Sequence, residues 1–460
     1  MEEAGGSSRR GAAFDRDWTK GSIIGNLWSL SWPMLISQSL NMLGPTIDMI
    51  WVGKLGAASV AGVGVAGMAV MLANLAMMGL TTGLRAMVAR FVGAGDNEGA
   101  NHIARQAFVI GAGYSIVVAV IGIFFAEPIL MLMGLEADVV AEGAAYTRIM
   151  FVGSIAMSLR MMAEGTMQAS GDTVMPMRIT VLFRIFHVAL CPFLIFGWWI
   201  FPHLGVSGAA ATNVISQTLG LALGLWVLFK GRTRLRVTLS NFRLDLNIIW
   251  RIVKIGIPTA VMGVQRSLCL LALIWFIVPF GTLVVAAHTL CRRVENILSA
   301  LSMGLGTGAG VLAGQNLGAG KPKRAEKSGW LAAGFAEGIM FISSAAILLW
   351  AENIVRVFTP EPGLIETTST FLRITTAGYL ALGFNMAFMQ FLTGVGDTLP
   401  PMLCELLKAW LVQVPLAFLL LRVTTLGVYG VRWAMAAGMI TAGTIFTVYF
   451  WLGRWKRKKV

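Results

Sequence analysis

Charged side chains are scarce in this chain. Asp, Glu, Lys and Arg make up 13% of its 460 residues, and 57% are apolar; a typical soluble domain is about 25% charged. An ordinary soluble domain is excluded. Cysteine is scarcer still. Cys191, Cys269, Cys291 and Cys404 all fall inside apolar segments and form no Cys-x-x-Cys pair, which excludes a disulfide framework and leaves no zinc-binding spacing. The first twenty residues hold no apolar stretch, so no cleavable signal peptide is visible. A catalytic triad, metal-ligand spacing and a phosphate loop between strand and helix are all missing. We therefore expect no enzyme, no cofactor, no bound metal and no ATP-driven pump.

What the chain has instead is length of apolar sequence. Crossing a hydrocarbon core of roughly 30 Å takes about 20 residues, and twelve such stretches run from 24–52 to 428–453. They predict an all-α polytopic membrane protein of twelve transmembrane helices in contact with lipid. The formal charge of +14 is concentrated between and after these stretches. Lys230, Arg232, Arg234, Arg236 and Arg243 lie between the sixth and seventh, and Lys321, Lys323, Arg324 and Lys327 between the eighth and ninth. Arg454, Lys456, Arg457, Lys458 and Lys459 follow the last, while Glu127, Glu136, Asp138 and Glu142 lie between the third and fourth. Basic loops stay cytoplasmic, which places both termini on the inner side of the cell membrane. The charge reads as topology, not as a nucleic-acid footprint.

The chain also says one thing twice. "GDTVMPM" at 171–177 returns as "GDTLPPM" at 396–402, an offset of 225. The same offset pairs Pro33 with Pro258, Gly56 with Gly281, Met78-Gly79-Leu80 with Met303-Gly304-Leu305, and Thr82-Gly83 with Thr307-Gly308. It also pairs Gly93-Ala94-Gly95 with Gly318-Ala319-Gly320, and Arg148-Ile149 with Arg373-Ile374. Leu204-Gly205-Val206 then matches Leu426-Gly427-Val428 at an offset of 222, a slip of three residues. Each half holds six helices and so crosses the membrane in the same sense. Such halves are related by an axis along the membrane normal, an arrangement suited to alternating access in a secondary transporter. The expected division is a disordered cytoplasmic tail (1–20), an amino-terminal bundle (21–229), a basic linker (230–247), a carboxy-terminal bundle (248–453) and a basic tail (454–460). In the repeated phrase, glycine should end one helix at positive φ, Asp or Thr should cap the next, and Pro176 and Pro401 should sit in its first turn. Asp172 and Asp397 are read as turn markers.

"LSWPMLISQSLNMLGPTIDMIWVGKLG" (30–56), "ARFVGAGDNEGA" (89–100), "QASGDTVMPM" (168–177), "AAHTLCRRVENIL" (286–298), "GQNLGAGKPKRA" (314–325) and "VGDTLPPM" (395–402) together resemble the multidrug and toxic compound extrusion (MATE) family. The Arg-Val-Glu of the eighth helix and the "GQNLGAG" spelling are most similar to its DinF-like branch. The resemblance covers roughly 22–453 and implies two six-helix bundles that extrude organic compounds in exchange for protons or sodium. The major facilitator fold shares the parallel repeat, but its basic Gly-x-x-x-Asp-Arg-x-Gly-Arg-Arg loop is missing; the corresponding loop reads "GAGDNEGANH".

An ionisable group inside a bilayer costs roughly 2.5–3.5 kcal/mol on insertion scales and marks a candidate site. Gln38, Asn41, Pro45 and Asp48 form one polar stripe on the first helix. Asp48 is the leading candidate to carry a coupling proton, and the resemblance implies cation coupling at this aspartate. The plainer reading leaves it solvated near Trp51 and Lys54. On the fifth helix the family pattern Asn-x-x-x-Asp-Pro is replaced by His187 and Cys191, so a second carboxylate is absent. An Asp48–His187 pair suits a proton better than sodium, which prefers several oxygen ligands. Asn213 and Gln217 could complete that cavity. On the seventh helix Arg266, which follows Gln265, stands where the resemblance implies a glutamate in many relatives. A cavity-facing Arg266 would favour anionic or zwitterionic cargo, whereas in the plainer reading it pairs with an acid such as Glu295, for which Arg292 is the more local partner. Arg160 and Glu164, one turn apart, should neutralise each other.

The expected activity is a monomeric antiporter exporting a small organic substrate, with H+ ahead of Na+ as coupling ion. The alternatives are a sodium-coupled exporter and a lipid-linked precursor flippase, the latter suggested by Arg160, Arg184 and Arg266.

Overall fold

The computed structural model describes residues 16–131, 137–238 and 242–458. Glu136 and most of the amino-terminal tail lie outside the described residues, as do positions 239–241 of the linker. The helices are α1 (Ile23–Val52), α2 (Ala57–Gly93), α3 (Asn97–Met131), α4 (Ala137–Val152), α5 (Ser154–Ser170), α6 (Val174–Phe196) and α7 (Gly205–Phe229). They continue as α8 (Leu246–Ile277), α9 (Thr282–Gly318), α10 (Pro322–Arg356), α11 (Pro362–Gly394), α12 (Leu399–Leu406), α13 (Val414–Val423) and α14 (Tyr429–Leu452). No strand occurs among the described residues.

The twelve expected apolar stretches lie on helix apart from a few residues, such as 197–200, which follow the end of α6. Nine helices among the described residues are long and apolar enough to cross a membrane, and ten if α4 and α5, bent by 44°, form one span. The eleventh stretch is also composite, since a π-helical segment, Leu407–Gln413, joins α12 to α13. With 30 and 33 residues, α1 and α11 have the length to cross.

Packing divides the chain within helices rather than at the basic linker. One unit takes Ile36–Ile257, and the other joins Lys20–Leu35 to Pro258–Val460. In the first, α2 packs on α3, α4 and α5, and α7 packs on α5 and α6. In the second, α11 is central, packed on α9, α10 and α14. Its buried face includes Phe371, Tyr379, Phe388 and Phe391.

The repeat is legible in three dimensions. Gly171 and Gly396 hold φ of 95° and 86°, the left-handed region where only glycine is unstrained, and both end a helix. Arg148 pairs with Glu127 at 3.1 Å, and their repeat equivalents Arg373 and Glu352 pair at 3.3 Å. The two Asp residues of the repeated phrase, however, have diverged. Asp172 Oδ1 accepts the Met175 N–H at 3.1 Å and caps α6. Asp397 instead accepts the Tyr449 hydroxyl at 2.6 Å and lies 3.5 Å from Lys458 Nζ.

The repeated Gly-x-x-x-Gly of Gly79/Gly83 and Gly304/Gly308 brings helices together backbone to backbone, as small residues do in membrane helices. In the first unit, a β-carbon on Gly83 would strike the Ile252 carbonyl, and one on Gly256 would lie 2.7 Å from the Gly79 carbonyl. In the second, one on Gly308 would lie 3.0 Å from Ser31 Cα. Rigid backbone cannot step aside as a side chain can. Gly83→Ala should therefore destabilise the protein by about 1–3 kcal/mol, read as a lowered midpoint in detergent unfolding. An unchanged midpoint would show that α2 and α8 do not cross this closely.

Candidate functional site

Arg184, His187 and Cys191 stand at i, i+3 and i+7 of α6, so they share one face of the helix. All three are buried. From α1, Asp48 meets that face and is itself only 2% exposed. His187 Nε2 lies 3.1 Å from Asp48 Oδ1, within ion-pair distance though off the line of an N–H bond. The Cys191 thiol points to the same oxygen at 3.7 Å. Tyr146 of α4 is buried within electrostatic reach of Asp48 and Cys191. Lys54, which the plainer reading set beside Asp48, lies over the Trp51 ring at 4.5 Å.

Arg184 closes the other side of the imidazole. Its Nη1 is 3.5 Å from His187 Nδ1, and a guanidinium can only donate. In a neutral ring this favours the tautomer that accepts at Nδ1 and carries its proton on Nε2, the nitrogen next to Asp48. Gly44, one turn before Asp48 on α1, makes room for this arginine, since a β-carbon there would overlap the guanidinium. Farther along the same network, Arg160 donates from Nε to Gln217 Oε1 at 2.5 Å and from Nη1 to Glu164 Oε2 at 2.7 Å. Gln168 donates to Glu164 at 3.0 Å, and Arg85 reaches Gln168 at 3.4 Å. Phe183 lies between the two inner arginines, its ring 4.7 Å from the Arg160 guanidinium carbon and 5.3 Å from that of Arg184.

Asp48, His187 and Cys191 offer one oxygen, one nitrogen and one sulfur within 4.8 Å of one another, close enough to hold a metal ion. Their surroundings do not fit one. A metal-bound imidazole hands its second N–H to an acceptor, whereas here the second nitrogen faces a fixed cation.

In the carboxy-terminal unit Glu295 of α9 is shared. Arg292 Nη1 lies 3.0 Å from Glu295 Oε2, and Arg432 Nη1 of α14 lies 3.1 Å from Oε1. Arg432 also donates to the His288 carbonyl at 3.2 Å. Lys408 pairs with Glu405 beside the π-helical segment. Arg266 has no hydrogen-bond or ion-pair partner among the described residues, and neighbouring Gln265 is buried with its Oε1 unpartnered.

The structure thus joins Asp48 to His187 and gives Gln217 to Arg160 rather than to that pair. Gln38, Asn41 and Asn213 are half-buried and do not enter the Asp48 network. Arg160–Glu164 and Arg292–Glu295 form as expected. Sequence reasoning missed Arg184 as a neighbour of His187, although its i+3 spacing on a proline-containing helix is a usable signal. It also missed Arg432, an arginine amid apolar residues of the last helix.

Two repeated helical units, each with ionisable groups buried at membrane depth, define a polytopic membrane transporter. The chain belongs to the MatE family, whose model matches residues 33–193 and 258–419, once in each half. It is a transporter and not an enzyme. A probable multidrug resistance protein NorM from Thermotoga maritima is 24% identical over 94% of this chain and 93% of its own length. An FAD transporter from Shewanella oneidensis is 25% identical over 85% of this chain and 87% of its own. Among solved structures, an outward-facing multidrug resistance MATE transporter superposes with a TM-score of 0.89 at 23% identity, covering 95% and 96% of the two chains. A Pyrococcus furiosus MOP superfamily transporter, described as having a binding pocket of reversed polarity, gives 0.88 at 23% identity over 96% and 98%. At such identities the structural likeness establishes the fold alone.

Proposed function

We propose that the chain is a proton-coupled antiporter that exports organic compounds across the cytoplasmic membrane by alternating access, with both termini cytoplasmic. The observation that carries this reading is the Asp48–His187 pair, buried at 2% and 1% exposure and 3.1 Å apart. Its other near neighbours are a thiol, a phenol and a guanidinium. Hard cations seek several oxygen ligands, and this site offers mainly nitrogen and sulfur around one carboxylate. A proton needs only one acceptor. The multidrug names of relatives support organic cargo, and the basic stretches at 230–243, 321–327 and 454–459 support the orientation.

Protonation would remove the negative charge that holds Asp48 among His187, Cys191 and, beyond the imidazole, Arg184. This lets α1 and α6 adopt a second packing, the bistable element that antiport requires. The test is export from proteoliposomes containing the purified chain. Replacing sodium by potassium or choline at fixed pH should leave the rate unchanged, whereas collapsing the pH gradient should stop uphill transport. Loss of export in choline would replace the proton scheme by a sodium one.

A further inference from the structure

Arg266 is an arginine in the middle of an apolar helix, with no ion-pair partner among the described residues. On α8 the residues Ile257, Val261, Val264, Leu268, Leu271 and Trp275 are exposed and follow helical spacing, which makes them the lipid-facing stripe. At about 100° per residue, Arg266 lies on the opposite side of the helix, among buried Met262 and Leu273. Yet Arg266 itself is exposed, while protein atoms surround it densely. Arg266 therefore lies on the face of α8 opposite the lipid-facing stripe and is open to a ligand that reaches that face.

The acids within its electrostatic reach are Glu295 and Glu405, and the nearby cation is Arg292. Glu295 already bridges Arg292 and Arg432, and Glu405 already holds Lys408. Four cations thus stand against two carboxylates, and both carboxylates are engaged elsewhere. The surplus is positive and centred on Arg266. An unpaired charge at membrane depth is costly and is retained where it meets a substrate or a pathway.

We propose that Arg266 is a substrate-binding residue and that the cargo is an organic anion, held by its carboxylate, sulfonate or phosphate group against this guanidinium. The proposal takes the ligand to be cargo from the export reading above, but the binding site itself does not depend on it. Arginine suits the task, because its planar fork of donors matches such oxyanions.

The test measures binding to the purified full chain in detergent, by equilibrium dialysis. Probes are amphipathic aromatic anions (a naphthoate, a naphthalenesulfonate and a naphthyl phosphate) and, as the opposite charge, a naphthylmethylammonium. At least one anion should bind more tightly than the cation. Arg266→Gln should weaken that anion about tenfold or more without lowering the melting temperature, and Arg266→Lys should restore part of the affinity. Arg293→Gln, which removes an exposed charge next to Arg292, should leave it unchanged. Preference for the cation, no anion binding at all, or equal anion binding by Arg266→Gln would each overturn the proposal. Anion binding intact in a chain that shows no proton-driven export would instead sink the export reading and leave the anion site standing.

Discussion

Asp48→Asn should abolish uphill export while leaving a folded protein in the membrane. The substitution keeps the shape of the side chain and removes its ability to take up a proton. One unit of pH gradient is worth about 1.36 kcal/mol per proton. With the membrane potential clamped at zero, one proton exchanged per substrate across two units therefore supports at most a gradient of roughly 100-fold, whatever the charge of the cargo. Proteoliposomes with the membrane potential clamped should approach that gradient with the wild-type chain and show none with Asp48→Asn. The substituted chain should retain its melting temperature, because the amide has the same shape and its oxygen can occupy the place of Asp48 Oδ1 beside His187. An undiminished gradient with Asp48→Asn would remove Asp48 from the coupling site. Loss of the gradient together with loss of the folded protein would show only that Asp48 holds α1 against α6, and Asp48→Glu, which keeps the proton acceptor, would then separate the two roles.

The architecture was written plainly in the sequence because membrane helices announce themselves by length and apolarity, and because the repeat preserves turn chemistry. Gly171 and Gly396 need a left-handed backbone in either half, so the phrase survives at a fixed offset. The composite fourth and eleventh spans were not legible. A bend at Gly153 and a π-helical segment depend on how neighbouring side chains pack, which periodicity does not record. The candidate site was half visible. Asp48 and His187 stand out because charge and imidazole are rare in apolar helices. What they touch was not visible, since the partners come from other helices: Tyr146 from α4, and Arg184 only once α6 turns its face to Gly44. Asp172 and Asp397 carry the same word of the repeat yet make different contacts, because only Asp397 has Tyr449 and Lys458 within reach. Identical local sequence fixes the turn and leaves the side chain to its neighbours.

Arg432→Met should be the most destabilising substitution in the carboxy-terminal unit. Arg432 is fully buried, bonded to Glu295 and the His288 carbonyl, and set 4.7 Å from the Phe371 ring. Glu295 is buried as well, so losing Arg432 strands half of its charge where water cannot replace the partner. Breaking one side of a buried ion pair typically costs about 3–5 kcal/mol, a large part of the total stability of a domain. Arg292 limits the loss, because its guanidinium keeps Glu295 Oε2 at 3.0 Å. Pairing Arg432→Met with Glu295→Gln removes the stranded charge and should recover part of the midpoint in chemical unfolding, even though two hydrogen bonds are gone. This distinguishes a charge that must be paired from side chains that merely fill space: in the second case the double substitution would be at least as unstable as the single one. A midpoint unmoved by Arg432→Met would mean that α14 does not hold α9 through this pair. It would also return Glu295 to the accessible charges around Arg266, weakening the surplus that favours an anion there.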